Sequence, residues 1–146
     1  MDIWLKALAV VSSGMFAGAA FYISAVEHPA RISTGVTAAL QEFRPSYQRA
    51  APIQVTFAIV CFLSCLALWI SSRNPAWLVG GGLTVAVIPH TLLFMMKGNR
   101  ILLDAHSLPE GKVAESLLLR WGLLHAVRTV LSITGFLVLV YQSLRQ

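Results

Sequence analysis

Residues 120 to 128 read RWGLLHAVR and open the last apolar segment of the chain. Trp121, His125 and Arg128 stand at i, i+4 and i+7, so they share one face of a helix. The uncharged residues after Arg128, 129–144, give only about 24 Å of helix, at ~1.5 Å per residue. That is shorter than the ~30 Å hydrocarbon core of a bilayer. A helix that starts at Trp121 reaches about 36 Å and carries His125 and Arg128 to membrane depth.

The composition is that of an integral membrane protein. The 146 residues are 57% hydrophobic and 12% charged, and the mean hydropathy is +0.73, whereas a soluble domain carries about 25% charge. Four windows of spanning length contain at most one charged residue, namely 7–26, 50–72, 74–96 and 121–144. We therefore predict one all-α domain over residues 1–146, an integral membrane four-helix bundle. Its predicted spans are approximately 4–27, 50–71, 76–100 and 112–142.

The first predicted span has a face of small residues, which lets membrane helices approach closely. This face holds Ser13, Ala17, Ala20 and Ser24, and Gly14-x-x-x-Gly18 lies beside it. We expect packing within the chain, with dimerisation through the glycines left open. Residues 6–20 fit a cleaved signal peptide only in part, so we expect them to be retained.

The connection over residues 31–49 is polar, yet Val36, Leu40, Phe43 and Tyr47 recur in it at helical spacing. We predict a short interfacial helix that ends near Pro45, because proline interrupts helical hydrogen bonding. The second span then starts near Ala51 and Pro52, with the proline in the first turn.

Glycine and proline shape the rest of the chain. Gly80–Gly82 permits very close packing of the third span, and Pro89 should kink it and free a carbonyl beside His90. The segment Ser107–Glu110 resembles a capping box, so the last helix should start near Leu108.

Charge and cysteine usage exclude two other kinds of protein. The net charge of +5 comes from Lys and Arg at segment ends, without the basic runs and interleaved aromatics of a nucleic-acid-binding protein. Cys61 and Cys65 lie four residues apart on one predicted helix, which is a poor arrangement for a disulfide. We expect both cysteines to be small packing residues.

The polar residues of the predicted spans gather in one half of the bundle, towards the long connections. Such residues usually line a cavity or pair with one another. Two interpretations follow: a pocket that binds or transforms a ligand, or a structural knot in which Arg128 is the counter-ion of Glu27. The candidate site residues are Glu27, His28, Arg31, Tyr47, His90, Asn99, Trp121, His125 and Arg128.

The chemistry of these residues is limited. The sequence has no nucleophile motif and no phosphate-binding loop, but histidine is a natural general base near neutral pH. A fixed arginine can stabilise a developing oxyanion, most strongly in a dry site. A metal set of Glu27, His28, His90 and His125 is a weak alternative, because these residues come from three helices without an i, i+4 histidine pair.

Three short motifs carry a resemblance to a known family. They are Glu27-His28-Pro29-Ala30-Arg31, Pro89 with Asn99-Arg100, and Arg120-Trp121 with His125-x-x-Arg128-Thr129. Together they resemble the anthrone oxygenase-like family of small four-span membrane proteins, largely described as a domain of unknown function. The resemblance implies insertion of oxygen from O2 into an anthrone without an evident cofactor. It also implies a lipophilic polycyclic or quinone-like ligand that enters from the bilayer.

Our leading hypothesis is a cofactor-independent oxygenase or oxidoreductase in the membrane. His125 would abstract an acidic ring proton, and Arg128, assisted by His90, would stabilise the enolate-like oxygen. Glu27 and His28 would orient this pair or relay protons, and Arg31, Tyr47, Asn99 and Trp121 would support the site. The alternatives are a protein that binds a quinone, haem or a transition metal, and a non-catalytic structural or assembly subunit. The expected partners are the lipid bilayer and a lipophilic small molecule, without nucleic acid; a homo-oligomer stays open.

Basic residues predict the orientation in the membrane. Seven of them lie in the first and third connections and three at the termini and the second connection, namely Arg31, Arg44, Arg49, Lys97, Arg100, Lys112 and Arg120 against Lys6, Arg73 and Arg145. The positive-inside rule then places the two long connections in the cytoplasm, with the bacterial inner membrane as the expected location.

This orientation can be tested by cysteine labelling in intact cells. Cysteines placed at Thr37 and Lys112 should be protected from a membrane-impermeant thiol reagent and should react after permeabilisation. Rapid labelling of both sites in intact cells would reverse the predicted orientation.

Overall fold

The computed structural model describes residues 2–104 and 109–145, and the described part is helical without strands. We name its four long helices α1 to α4. Helix α1 comprises Asp2–Tyr22, a π-helical turn at Ile23–Glu27 and His28–Ser33, and α2 is Val36–Ser72. Helix α3 comprises Pro75–Val85, Val87–His90, a π-helical turn at Thr91–Met95 and Met96–Leu103, and α4 is Gly111–Leu144.

All four helices are long and apolar enough to cross a membrane. Each packs against its neighbours in the chain, and α1 also packs against α4, which closes the bundle. The predicted fold class, an all-α four-helix membrane bundle, is confirmed. The levels at which the bilayer surfaces cross the helices stay a prediction.

Short connections separate the helices at both ends. Gly35 joins α1 to α2 with a φ of 89°, a conformation that a side chain would strain. At the end that holds both termini, which we call the terminal end, Asn74 caps α3 through a bond of 3.0 Å from the Ala76 amide to its side-chain oxygen. Helix α4 begins at Gly111. Ser107 and Leu108, on which the predicted capping box and helix start depend, lie outside the described residues.

The predicted short interfacial helix is wrong. Helix α2 runs unbroken for 37 residues, with Pro45 and Pro52 inside it, so no helix starts at Pro52. The physical reason is packing, because Leu40 and Phe43 are buried in a core with Leu118 of α4. Burying these side chains outweighs the loss of two backbone hydrogen bonds to the prolines. The bundle therefore continues as packed helix at the end opposite the termini, which we call the polar end.

Two of the helices change their hydrogen-bonding pattern near the polar end. Helix α1 has its π-helical turn directly before His28, and α3 is interrupted at Ala86 and again at Thr91–Met95. Pro89 cannot bond to the carbonyl of Val85, where the first α-helical segment of α3 ends. An extra residue in a turn re-aims the side chains that follow, and such turns are frequent at functional sites.

Glycine brings α3 close to both of its neighbours. A Cβ on Gly135 of α4 would lie 2.7 Å from the Thr84 hydroxyl and 2.9 Å from the Gly80 carbonyl, and a Cβ on Gly81 would lie 2.7 Å from Cys65 Cβ. These separations are shorter than any van der Waals contact, so only glycine fits there. Gly80 and Gly81 thus pack as the sequence predicts, while a Cβ on Gly82 would meet nothing within 4 Å.

Gly81 and Gly82 form a matched pair for a stability test. We expect Gly81→Ala to lower the free energy of unfolding by about 1–3 kcal/mol, because the added methyl overpacks the contact with Cys65. Gly82→Ala should leave it unchanged or raise it by up to about 1 kcal/mol through helix propensity. Unfolding in mixed detergent micelles would measure both, and equal effects would contradict the close contact of α2 with α3.

Candidate functional site

A small pocket lies between α1, α2 and α4 at the polar end, and we call it the inner pocket. Its volume is about 20 Å³, which is room for one molecule of the size of water. The lining residues are Ile23, Glu27, Arg31, Phe43, Ser46, Tyr47, Ala50, Ala51, Gln54, Trp121, His125 and Arg128.

The length of α4 relates the pocket to the predicted membrane span. Tyr141, near the terminal end of α4, is 62% exposed, as an aromatic residue at the membrane interface would be. Arg128 lies about 20 Å along the helix from Tyr141 and His125 about 24 Å, at ~1.5 Å per residue. Both distances are shorter than the ~30 Å hydrocarbon core, so the length of α4 allows the predicted depth of both residues.

Arg128 is a buried cation whose one hydrogen bond among the described residues is to an amide. Its side chain is 7% exposed, and Nη2 donates to Gln54 Oε1 at 2.8 Å. Arg128 Nε is buried without a hydrogen-bond partner. Within residues 2–104 and 109–145 no carboxylate forms an ion pair with Arg128, so the counter-ion role considered for Glu27 is not observed.

Glu27 is instead neutralised by Arg31. Arg31 is buried and binds the carboxylates of Glu27 and Glu42, and its Nη2 donates to Ser46 Oγ at 3.1 Å. Ser46 also donates to Glu27 Oε1 at 2.5 Å. Sequence reasoning missed Glu42 and Ser46, because it assigned residues 31–49 to a surface connection. Their spacing from Leu40 and Phe43 on a continuous helix is the signal that could have found them.

Trp121 is the aromatic centre of the site. Its ring stacks on His125, with centroids 4.8 Å apart and an interplanar angle of 25°. Phe43 contacts it edge-on at 5.1 Å, and His28 packs against it, also at 5.1 Å. Trp121 Nε1 donates to Asn99 Oδ1 at 3.0 Å, which connects α4 with α3.

His125 is held by a chain of hydroxyl groups. The ring is 2% exposed, and Nδ1 lies 3.0 Å from Ser24 Oγ. Ser24 Oγ lies 2.7 Å from Thr129 Oγ1, and Thr129 donates to the carbonyl of Ala20 at 3.0 Å. Sequence reasoning recognised Ser24 only as a small packing residue and gave Thr129 no role in the site.

We assign the donors along this chain from its carbonyl end. A hydroxyl group has one proton, and a carbonyl oxygen can only accept. With the Thr129 proton on the Ala20 carbonyl, Ser24 donates to Thr129 and His125 Nδ1–H donates to Ser24. The proton of the neutral imidazole is then on Nδ1, which leaves the Nε2 lone pair available as a base.

The other two predicted histidines lie outside the inner pocket. A Cβ on Gly122 would be 2.5 Å from His28 Nε2, so the absence of a side chain there makes room for this ring. His90 packs against Phe94 at 5.2 Å. Nδ1 of each histidine is buried and finds no partner among the described residues. Asn99 is not part of the pocket lining either, but it forms hydrogen bonds with two lining residues, Tyr47 and Trp121.

A second opening, which we call the lateral groove, lies between α1 and α4. It is about 630 Å³ in volume and mostly apolar, and it shares only Trp121 and His125 with the inner pocket. Leu119 and Leu123 in its lining are exposed, so the groove opens on the lipid-facing side of the bundle. Its lining residues are Ser24, His28, Pro29, Ile32, Leu119, Trp121, Gly122, Leu123, His125 and Ala126.

The weak metal alternative finds no support in the positions of its ligands. Among the described residues, no three His, Cys, Asp or Glu side chains come together in a way that could hold a metal ion. Glu27 and His125 line the inner pocket, while His28 and His90 do not.

Comparison with known proteins agrees with the motifs of the sequence. The anthrone oxygenase family model matches residues 43–138, more than half of the chain. Anthrone oxygenase tpcL of Aspergillus fumigatus is 28% identical over 155 aligned residues, which cover 97% of this chain and 94% of that protein. Anthrone oxygenase AgnL2 of Paecilomyces divaricatus is 28% identical over 147 residues, with 89% of each chain covered. No solved structure matches the chain significantly. The match to the family model, which confirms the resemblance in the sequence, shows that the chain belongs to the anthrone oxygenase family.

Proposed function

We propose that this protein is a membrane-embedded, cofactor-independent oxygenase that converts a lipophilic, anthrone-like substrate and O2 into a quinone. The observation that carries the proposal is the pairing of Arg128 with His125 in one buried pocket. Arg128 is a cation without a carboxylate partner among the described residues, and His125 presents a free Nε2 lone pair by its hydrogen bonding. The names of the two fungal relatives agree with this reaction class.

The pair suits the first step of such a reaction. An anthrone has a methylene group between two aromatic rings, opposite a carbonyl group. Removal of a methylene proton moves negative charge onto the carbonyl oxygen. In the proposed mechanism His125 Nε2 takes this proton. The Arg128 guanidinium stabilises the oxygen that becomes negative, and the interaction is strong because Arg128 is buried.

The later steps need only O2 and the same base. The carbanion gives its electrons to O2 and forms a carbon–oxygen bond, and the resulting peroxide takes the proton from His125. His125 then removes the second methylene proton, the oxygen–oxygen bond breaks, and the leaving hydroxide takes that proton to give water. The carbon is oxidised to a carbonyl and O2 is reduced, so one anthrone and one O2 yield one quinone and one water.

The sizes of the two openings suggest how the reactants meet. A three-ring substrate is far larger than the inner pocket of about 20 Å³, whereas O2 is of a size that fits. The lateral groove is large, apolar and open towards lipid, and it reaches His125 from outside. We therefore propose that the substrate enters from the bilayer through this groove, with the polar end of the bundle in the cytoplasm. Assistance of Arg128 by His90 stays a prediction, because His90 is not in the pocket lining.

Substitutions of Arg128 and His125 distinguish a functional site from a cluster of polar residues that only stabilises the bundle. Arg128→Gln and His125→Gln should each lower kcat by about 10²–10³-fold with an anthrone substrate, because base and oxyanion partner act together. Stability should change little in Arg128→Gln, since removing a buried cation also removes its desolvation penalty. Anthraquinone formation and O2 uptake measure the activity, with the exposed Arg120→Gln as the control. Unfolding of Arg128→Gln with wild-type turnover in its folded fraction would contradict the proposal.

The hydroxyl chain behind His125 gives a second test. Ser24→Ala removes the acceptor for Nδ1–H and should lower the rate roughly tenfold, because Nε2 is no longer the only basic nitrogen. Ser24→Thr keeps a hydroxyl and should restore most of the rate, and Ser33→Ala, at the exposed end of α1, should change nothing. Nitrogen NMR of labelled histidine would report the tautomer. An Nε2-protonated ring in the wild type would overturn the assignment of the base.

A further inference from the structure

We infer that Tyr47 is a second hydrogen-bond donor to the substrate oxygen, beside Arg128, and that Asn99 and Trp121 aim its proton into the inner pocket. The identity of this ligand oxygen rests on the proposed function. The placement of the donor rests on hydrogen bonds alone.

The orientation of Asn99 follows from Trp121. An indole nitrogen can only donate, so the atom of Asn99 that lies 3.0 Å from Trp121 Nε1 must be the amide oxygen. The amide nitrogen then faces the Tyr47 hydroxyl at 2.9 Å. Asn99 is 1% exposed, so water does not compete for either bond.

The Tyr47 hydroxyl accepts in its hydrogen bond with Asn99. An amide nitrogen donates and does not accept, so Tyr47 Oη accepts the bond from Asn99. The phenolic proton is therefore left for another acceptor, and none of the hydrogen bonds in the described part of the chain uses it. The Tyr47 ring stacks on Phe43 with centroids 5.7 Å apart and an interplanar angle of 18°, which holds the phenol in position.

The inner pocket consequently offers two unused donors, Tyr47 and Arg128, beside the acceptors Glu27 and His125. Tyr47 and Arg128 both line it, and Arg128 Nε is a buried donor without a partner. The carboxylate that shares the lining, Glu27, already accepts from Arg31 and Ser46. A ligand that matches such a site brings an oxygen with lone pairs, as a carbonyl, an enolate or a phenolate does. An ammonium group would be repelled by the Arg128 cation and could not accept from Tyr47.

A coloured ligand tests this inference separately from turnover. The probe is a hydroxyanthraquinone dye, whose absorption spectrum distinguishes the neutral phenol from the phenolate. It is bound to the purified protein in detergent and titrated with base. Tyr47→Phe should weaken binding of the phenolate by about tenfold to a hundredfold, as expected for one hydrogen bond to an ionised group. Binding of the neutral dye should change much less. The colour change of the bound dye should then move up by about one to two pH units.

Two further variants distinguish an aimed donor from a packing residue. Tyr141→Phe removes an exposed hydroxyl near the terminal end and should leave the titration unchanged. Asn99→Leu keeps the Tyr47 hydroxyl but removes the hydrogen bond that orients it. The colour change of the bound dye should therefore also move to higher pH, by less than in Tyr47→Phe. When Asn99→Leu is combined with Tyr47→Phe, the dye should titrate at the same pH as in Tyr47→Phe alone, because both substitutions act through the one Tyr47 proton.

The outcomes separate this inference from the proposed function. A shifted titration in Tyr47→Phe, together with a wild-type protein that does not oxidise an anthrone, supports the oxygen site and contradicts the oxygenase. Anthrone oxidation by the wild type with an unchanged titration in Tyr47→Phe overturns the role of Tyr47 and leaves the oxygenase in place. A wild-type protein that binds neither form of the dye also overturns the inference.

Discussion

The positive charge of Arg128 is the constraint on which the polar end depends. An arginine at membrane depth is costly unless the protein supplies compensation. In the part of the chain that the structure describes, the one side-chain bond of Arg128 is to the Gln54 amide, while the carboxylates of Glu27 and Glu42 are held by Arg31. The two arginines thus have different roles. Arg31 joins the Glu27 and Glu42 carboxylates in an ion cluster that fastens α1 to α2, whereas Arg128 has no carboxylate bound to it among the described residues, which favours an anionic ligand or transition state in the proposed reaction.

Extension of the helices beyond the bilayer makes this separation of charge possible. Helix α2 is 37 residues long, or about 55 Å at ~1.5 Å per residue, well over the ~30 Å core. Its first turns bury Leu40 and Phe43 against α3 and α4, so Tyr47 and Ser46 stand on a rigid helix. A flexible connection could not hold the Tyr47 hydroxyl in one orientation. The proline residues in α2 are tolerated because this packing stabilises the helix around them.

The sequence predicts the fold and much of the site, and it fails where tertiary packing decides. The lengths of the uncharged windows and the positions of the charges between them are sufficient to predict the four helices. The spacing of Trp121, His125 and Arg128 is sufficient to predict that they share one face of α4. Proline rules gave the wrong structure for residues 31–49, because burial of Phe43 outweighs local propensity. Ser24 was not predictable as the partner of His125, since hydroxyl pairing between α1 and α4 depends on the rotation of each helix. The π-helical turn at Ile23–Glu27 contributes to the rotation of α1, and no periodicity in the sequence predicts this turn.

The stacked pair of Trp121 and His125 has a further consequence for the reactants. These two residues are the only ones common to the inner pocket and the lateral groove, so a ligand in the groove approaches Arg128 across them. A ring system parallel to Trp121 would extend the stack, and its edge oxygen would be the part that passes towards the donors. The pocket, with a volume of about 20 Å³, has room for about one molecule of the size of water and not for a chain of them. In the proposed reaction, a site with little room for water would strengthen the interaction of Arg128 with the developing oxyanion, so the narrowness that hinders entry of the substrate would favour turnover once its edge is inside.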